Sequence, residues 1–313
     1  MNSSIFKKYA SKSGLQIAFS PIYKYQLPEK HRFPMIKYEL IPEQLIYEGT
    51  ISESQLFHPE KLSEETILLT HDLVYWEKLK NLTLSEKEIR RIGFPLSANL
   101  IERGRHIAQG TIDCAYLALQ NGCAMNVAGG THHSFADHGE GFCVLNDFAI
   151  AANHLLNEKI VEKILIVDLD VHQGNGTAKL FENNHKVFTF SMHGAMNYPS
   201  RKEKSDLDIG LPDQTKDHYY LNTLEKTLPL LVDQVEPDLI FYLSGVDVLE
   251  TDKLGRLSMS MEGAKNRDRY ILELCKKNNI PVTVSMGGGY SERIALIVEA
   301  HANTFRLAQE IFF

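Results

Sequence analysis

Three residues that can bind a metal ion occupy alternate positions near the middle of the chain: Asp168, Asp170 and His172. They close an apolar, β-branched run that predicts a strand over residues 164–171. Because alternate residues of a strand share one face, we expect the three side chains to point the same way. Two carboxylates and an imidazole suit a borderline metal such as zinc. The alternative is a structural role, with an aspartate that caps the following helix and a His172 that bonds to the backbone.

A catalytic zinc ion takes three protein ligands and keeps a further position open. Asp247 is the candidate for the third ligand, since it follows another apolar run, residues 239–243. An unpaired carboxylate buried after such a run would be costly, so a partner is expected. A helix cap is again the structural alternative. Asp247 therefore completes a predicted zinc site with Asp170 and His172.

Two adjacent histidines, His132 and His133, stand in a glycine-bounded loop. Histidine titrates near neutral pH, so beside a metal-activated water one ring could act as general base and the other as its electrostatic or acid partner. We expect Asp168 and Asn175 to orient these rings through their second nitrogens. In isolation, two polar loop residues would be the simpler interpretation, and the neighbouring metal motif favours catalysis.

Residues 287–290, Gly-Gly-Gly-Tyr, follow a further apolar stretch. They lack the spacing and the Lys-Ser/Thr pair of a phosphate-binding loop. Glycines let the backbone approach a ligand closely, and Tyr290 could then direct its hydroxyl at an oxyanion. A tight turn followed by a core tyrosine is the structural alternative.

The elements that must hold these residues alternate between short apolar runs and longer amphipathic stretches. This alternation predicts an α/β fold: a single-domain, three-layer α/β/α arrangement around a central, mostly parallel sheet, with one domain over residues 1–313. Ligand sites in such folds lie beyond the carboxyl ends of the strands, which is where the four motifs fall. The predicted strands cover residues 15–19, 124–127, 164–171, 187–192, 239–243 and 281–285, and the clearest predicted helices cover residues 98–119, 219–232 and 264–275.

The composition disfavours several classes of protein. A formal net charge of -7 and a pI near 6.0 argue against nucleic acid as the partner. The four cysteines form no CxxC pair, so neither a disulfide framework nor a cysteine zinc site is expected. No apolar run approaches the ~20 residues that cross a bilayer, and the first residues do not resemble a signal peptide. We therefore expect no membrane partner and a cytoplasmic location.

Five motifs follow one another in a specific order: GGTHH (129–133), GEGFCVLND (139–147), DLDVHQGNG (168–176), SGVDVLETDKLG (244–255) and GGGY (287–290). Together they resemble the histone deacetylase superfamily, which has the arginase/deacetylase fold. The resemblance runs from about His31 to the C-terminus. The HQGNG and GVDVLE segments are similar to the class IV branch and its bacterial relatives.

The resemblance implies a role for each candidate residue. The zinc ligands of the family match Asp170, His172 and Asp247, the three residues predicted above. His133 matches the general base that later protonates the leaving amine, and His132 matches its electrostatic neighbour. Tyr290 matches the phenol that polarises the amide carbonyl. Asn175 stands where some classes of the family have an aspartate behind the second histidine. We therefore expect the basicity of His133 to differ from that in those classes.

The same resemblance implies a narrow substrate tunnel and a second metal ion. Gly141 and Phe142 fall on one tunnel wall, Tyr198 on the opposite wall and Leu254 at the rim. A potassium ion behind the zinc would involve a further set of residues, partly shared with the zinc site: Asp168, Asp170, His172, Ser191 and Met192.

These observations predict a zinc-dependent hydrolase that removes acetyl, or longer acyl, groups from the ε-amino group of lysine. The substrate would be an acylated lysine of a protein or peptide, or a small acylated amine, so an acetylpolyamine amidohydrolase is the alternative. A dinuclear manganese ureohydrolase needs further carboxylates that neither metal motif contains. A non-catalytic acyl-lysine-binding subunit would have no need of the complete set of ligands, histidines and tyrosine.

Overall fold

The computed structural model describes residues 14–313, and a sheet of eight strands runs through this part of the chain. The strands are β1 (Gln16–Ala18), β2 (Leu56–Phe57), β3 (Cys123–Asn126), β4 (Ile164–Asp168), β5 (Val187–Gly194), β6 (Leu207–Leu211), β7 (Leu239–Ser244) and β8 (Val282–Met286). Their spatial order is β2-β1-β3-β8-β7-β4-β5-β6. Every neighbouring pair is parallel, so the predicted mostly parallel sheet is parallel throughout.

The central strands are buried along their whole length. Every residue of β4, β7 and β8 is buried, as expected for parallel strands covered on both faces. The two edge strands differ, because β2 has only two half-buried residues and β6 is largely half-buried or exposed. Neither edge strand was predicted, since neither contains a continuous apolar run.

Two groups of helices cover the sheet and complete the three layers. The helices are α1 (Lys37–Tyr47), α2 (Glu64–Ile67), α3 (Leu73–Lys80), α4 (Glu86–Ile92), α5 (Ala98–Asn121), α6 (Asp147–Asn157), α7 (Asn175–Phe181), α8 (Asp217–Val235), α9 (Met261–Lys277) and α10 (Ile294–Phe312). One group contains α5 and α6, and the other joins α1, α8, α9 and α10. The three predicted helices are confirmed as α5, α8 and α9. Within the described residues, no helix is both long and apolar enough to cross a membrane.

The predicted strands agree with the structure to within one or two residues at each end, apart from the one expected over residues 164–171. That strand ends at Asp168. The Asp168 carboxylate accepts a hydrogen bond from the backbone N–H of Asp170 (3.1 Å), and the Asp170 carboxylate accepts one from His172 (3.0 Å). Such local bonds turn the chain away from the sheet. The prediction that Asp170 and His172 lie on this strand is therefore wrong, because both lie in the following loop.

The topology explains why the motifs meet. Strands β3, β8, β7 and β4 are consecutive neighbours in the sheet. The GGTHH, GGGY, SGVD and DLDVH motifs follow these strands in that same order, and parallel strands end at one edge. The predicted domain also includes residues 1–13, which lie outside the described residues.

Candidate metal centre and active site

Asp170, His172 and Asp247 form a buried cluster at the carboxyl ends of β4 and β7. One ligand atom from each lies within 4.8 Å of the others. His172 Nδ1 lies 3.0 Å from Asp170 Oδ1 and 3.2 Å from Asp247 Oδ2. Tetrahedral zinc with bonds of about 2.1 Å separates its ligand atoms by roughly 3.4 Å, close to these distances.

The outer oxygens of both aspartates are held by the backbone. Asp170 Oδ2 accepts a hydrogen bond from the N–H of Gly288 (2.6 Å), and Asp247 Oδ1 accepts one from Val171 (3.0 Å). Asp247 Oδ2 is buried and accepts no hydrogen bond. A buried carboxylate oxygen without a donor is costly unless a cation binds it. These residues therefore fit a divalent metal ion.

A glycine leaves room beside this orphaned oxygen. A Cβ atom built on Gly288 would overlap Asp247 Oδ2 and lie 3.0 Å from Asp170 Oδ2. Only a residue without a side chain lets the backbone donate to Asp170 at this position and still leave Asp247 free. The glycine run is thus part of the metal site.

The cluster is electrostatically strained without a cation. Burial and the carboxylate of Asp170 raise the pKa of Asp247 to about 7. Burial lowers the pKa of His172, but the carboxylates of Asp170 and Asp247 outweigh burial and raise this pKa to about 10. His172, and in part Asp247, therefore retain protons near neutral pH that a metal ion would displace, whereas burial of Asp170 is outweighed by the neighbouring His172 and His132, which lower its pKa and keep it ionised.

An arginine on α9 fixes the loops that carry the ligands. Arg267 is fully buried and forms an ion pair with Asp268 (2.8 Å). Its guanidinium donates to the carbonyl oxygens of Leu169 (3.2 Å) and Gly245 (2.6 Å), which lie within two residues of Asp170 and Asp247. Arg267 could not be predicted from the sequence, because nothing in a helical pattern indicates which strand loop a side chain reaches.

The two predicted histidines lie side by side, with ring centroids 4.1 Å apart. His132 Nδ1 lies 2.7 Å from Asp168 Oδ2, and His133 Nδ1 lies 2.6 Å from Asn175 Oδ1. These are the partners that the sequence analysis named. His132 Nε2 lies 4.0 Å from Asp170, so the pair borders the metal site.

The two rings have opposite electrostatic environments. Burial lowers the pKa of His132, but the carboxylate of Asp168 outweighs burial and the net shift is upward. Burial, and then the neighbouring rings of His132 and His172, lower the pKa of His133. His132 is therefore suited to carry a positive charge, and His133 is suited to remain neutral and accept a proton.

Tyr290 lines the same cavity as His133 and His172. Its backbone N–H donates to Asp252 Oδ2 (2.6 Å), and Asp252 Oδ1 accepts from the N–H groups of Leu254 and Gly255. Asp252 therefore ties the tyrosine loop to the loop after Asp247. Burial, and next the carboxylates of Asp247 and Asp170, raise the pKa of Tyr290, which keeps the phenol protonated and able to donate.

Two cavities share the residues of this site. The outer one has a volume of about 320 Å³ and is lined by the predicted wall residues Gly141, Phe142, Tyr198 and Leu254. Three arginines that the sequence analysis missed also line it: Arg32, Arg91 and Arg256. The inner cavity has a volume of about 40 Å³ and lies against Gly130, Tyr38 and Arg103.

Gly141 brings the wall segment against the histidine pair. Its φ of +55° is in the left-handed region, and a Cβ there would lie 2.5 Å from His133 Cδ2. Phe142 follows with a φ of +68° and packs against Phe33 with ring centroids 5.3 Å apart. A residue with a side chain at position 141 would displace the His133 ring.

The residues implied for potassium also lie together. Asp168 and Ser191 are paired in the β4–β5 register, and Met192 follows on β5. Both oxygens of Asp168 already accept protein hydrogen bonds, from His132 and from the backbone of Asp170. Asp168 therefore has no orphaned oxygen comparable with that of Asp247.

Comparison with known proteins assigns the family. The model of the histone deacetylase domain matches residues 31–305. The chain therefore belongs to the histone deacetylase family. An uncharacterized protein from Picosynechococcus is 43% identical over 299 residues, which cover 96% of this chain and 100% of that protein. Histone deacetylase 2 of Arabidopsis thaliana is 27% identical over 277 residues, covering 86% of this chain and 72% of that protein.

A solved structure confirms the fold. The crystal structure of a histone deacetylase homologue from Aquifex aeolicus matches with a TM-score of 0.80 and 21% identity, over 95% of this chain and 84% of that chain. The predicted arginase/deacetylase-like architecture is thereby confirmed. Family membership and the buried cluster that could hold a metal ion together support a deacetylase or amidohydrolase activity.

Proposed function

We propose that the protein is a zinc-dependent hydrolase that removes an acetyl group from the ε-amino group of lysine in a peptide or protein. The observation that carries this proposal is the orphaned oxygen of Asp247, buried beside His172, which itself lines both cavities. Asp170, His172 and Asp247 would hold the zinc ion. When bound, zinc supplies Lewis acidity toward the amide carbonyl and the attacking water.

The residues around the ligands would perform the proton transfers. His133, neutral and held through Nδ1, accepts the proton of the attacking water at Nε2 and later gives it to the leaving nitrogen. His132, charged beside Asp168, stabilises negative charge as it develops. The Tyr290 hydroxyl donates to the oxyanion, a contribution typically worth about 3 kcal/mol of barrier.

The volume of the inner cavity favours a short acyl group. A space of about 40 Å³ corresponds to roughly three water molecules at about 10–15 Å³ each. An acetyl methyl fits such a space, whereas a fatty chain requires displacement of Tyr38 and its neighbours. We therefore propose acetyl rather than the longer chains that a class IV resemblance also allows. A series of acyl-lysine peptides tests this: turnover should fall steeply beyond propionyl, and a preference for long chains would contradict the assignment.

The outer cavity favours a peptide over an acetylated polyamine. Among the described residues that line it, Arg32, Arg91 and Arg256 are cationic and no carboxylate is present. Arginine N–H groups can only donate. Arg91 and Arg256 each pair with a carboxylate outside the lining, Glu140 and Asp213, and the remaining N–H groups suit acceptors such as peptide carbonyl oxygens. A polyamine offers ammonium groups, which are donors of the same charge. We expect N-acetylspermidine to have a lower kcat/KM than an acetyl-lysine peptide, with a difference that shrinks as salt screens the charges.

A matched pair of variants tests the role of the arginines. Arg32→Gln removes a guanidinium that stacks on Phe142, 5.0 Å from the ring centroid. Arg32→Gln should reduce the difference in kcat/KM between the acetyl-lysine peptide and N-acetylspermidine. Arg90→Gln, at an exposed helix position, should leave this difference unchanged. An acetylpolyamine preference in the unmodified enzyme would favour the alternative function.

We also retain a structural potassium ion as a proposal implied by the family, near Asp168, Ser191 and Met192. Thermal unfolding in potassium chloride and in matched tetramethylammonium chloride tests it. The melting temperature should be higher in potassium chloride, and identical melting temperatures in the two salts would contradict a structural potassium ion.

The principal experiment measures release of acetate from an acetyl-lysine peptide by metal-free and zinc-loaded protein. Zinc should restore activity in the unmodified enzyme but not in Asp247→Asn. Asp233→Asn, at an exposed position on α8, serves as the matched control. Activity that survives both chelation and Asp247→Asn would reject the proposal.

A further inference from the structure

A chain of hydrogen bonds leads from the proposed base to a buried glutamate outside the assigned site. His133 Nδ1 lies 2.6 Å from Asn175 Oδ1, and Asn175 Nδ2 donates to Glu140 Oε1 (2.6 Å). Glu140 Oε2 accepts from Arg91 Nε (2.6 Å). Glu140 is only 4% exposed, although Arg91 reaches the outer cavity.

The donor and acceptor chemistry of this chain fixes the orientation of each group. A carboxylate only accepts hydrogen bonds, so the amide NH2 group of Asn175 must face Glu140. The amide oxygen of Asn175 then faces His133, and an amide oxygen also only accepts. His133 Nδ1 must therefore carry the proton, which leaves Nε2 with a free lone pair.

We propose that Glu140 is a positioning residue that sets the tautomer of His133 by orienting the amide of Asn175. This inference rests on the proposed function only for its effect on turnover. Without a fixed acceptor behind it, the Asn175 amide can rotate and offer its NH2 group to His133. The imidazole would then place its proton on Nε2, where the proposed base needs a lone pair.

Arg91 allows a carboxylate to occupy this buried position. Its Nε–H bond to Glu140 is charge-assisted and geometrically specific. His138 Nε2 lies 3.8 Å from the same oxygen. One carboxylate oxygen of Glu140 thus accepts a hydrogen bond from Arg91, and the other accepts one from Asn175.

The test exchanges the two functional groups between the two positions. Glu140→Gln removes the acceptor-only group, and kcat should fall about 10-fold with little change in KM, as expected for loss of a charge-assisted hydrogen bond. Asn175→Asp should also lower kcat, because it sets two carboxylates 2.6 Å apart. The double variant restores one carboxylate and one amide: the new carboxylate accepts from His133 and from the new amide. Its kcat should recover to within a few-fold of the unmodified enzyme.

Three controls separate positioning from a loss of structure. Zinc content and melting temperature should stay close to those of the unmodified protein, and Glu86→Gln, at an exposed position of α4, should leave kcat unchanged. A double variant no better than the product of the two single effects would overturn the proposal. A merely structural role for Glu140 predicts no such recovery.

A spectroscopic readout tests the same inference without turnover. In zinc-loaded protein labelled with ¹⁵N-histidine, the His133 signals, identified by their absence in His133→Asn, should show a proton on Nδ1 and a bare Nε2. Glu140→Gln should shift them toward the other tautomer. An unchanged Nδ1–H pattern would overturn the inference even if the enzyme is an active deacetylase. If the His133 signals shift as expected in Glu140→Gln but the unmodified protein has no deacetylase activity, only the proposed function is rejected.

Discussion

His71 should make the folded protein sensitive to mild acid, and this effect can be calculated. The ring is 2% exposed, and both of its nitrogens are engaged. Nδ1 lies 2.9 Å from the carbonyl oxygen of Phe135, and Nε2 accepts a hydrogen bond from the backbone N–H of Asn146 (3.0 Å). Only neutral imidazole can donate through one nitrogen and accept through the other. Burial lowers the pKa of His71 from 6.5 to about 4.

The sign follows from which state binds the proton. Above pH 6.5 the imidazole is neutral in both the folded and the unfolded chain, and the stabilising bonds are fully present. Between pH 6.5 and about pH 4 the unfolded chain binds a proton that the folded protein excludes, so stability falls as the pH falls. Between about pH 7 and about pH 5 the loss amounts to roughly 2 kcal/mol.

The assay is urea unfolding at both pH values in a chelator, which removes the pH dependence of metal binding. The difference in unfolding free energy between the two pH values should shrink by about 2 kcal/mol in His71→Gln. His185→Gln, at an exposed position, should leave the difference unchanged. An identical pH dependence in His71→Gln and the unmodified protein would refute the reasoning.

Two further substitutions test the active site. Tyr290→Phe should lower kcat by roughly 10²–10³-fold with zinc content unchanged, because it removes the donor to the oxyanion. Tyr219→Phe, at an exposed position, is the control. An unaltered kcat in Tyr290→Phe would contradict the role assigned to Tyr290. Gly288→Ala should weaken zinc binding by roughly 10- to 100-fold, as measured by competition with a chelator, because its methyl group overlaps Asp247 Oδ2. Gly104→Ala, where a Cβ meets only ordinary contacts, should bind zinc normally.

Much of the fold could be predicted from the sequence because the central strands are buried on both faces. Such strands read as continuous apolar runs, and the motifs mark where they end. The edge strands β2 and β6 could not be predicted, since half-exposed residues leave no such run. The end of β4 was missed because side-chain bonds from Asp168 and Asp170 turn the chain while its sequence still reads as a strand.

The candidate metal ligands and the histidine pair could be named from residue type and from their place after apolar runs, but the residues that hold them in position could not. Arg267 acts from a helix about 100 residues away in sequence from Leu169, whose carbonyl it binds. Arg91 reaches Glu140 across 49 positions. Glu140 itself stands within the GEGFC motif beside Gly141, and that neighbourhood is the one signal that could have indicated it.

The central claim is that a single zinc ion held by Asp170, His172 and Asp247 is required for hydrolysis of acetyl-lysine. The most direct test titrates zinc into metal-free protein and follows deacetylation of an acetyl-lysine peptide together with bound metal. The account predicts that activity rises in proportion to bound zinc and saturates at one ion per chain. Absence of hydrolysis at full occupancy, or a requirement for two manganese ions instead, would contradict it.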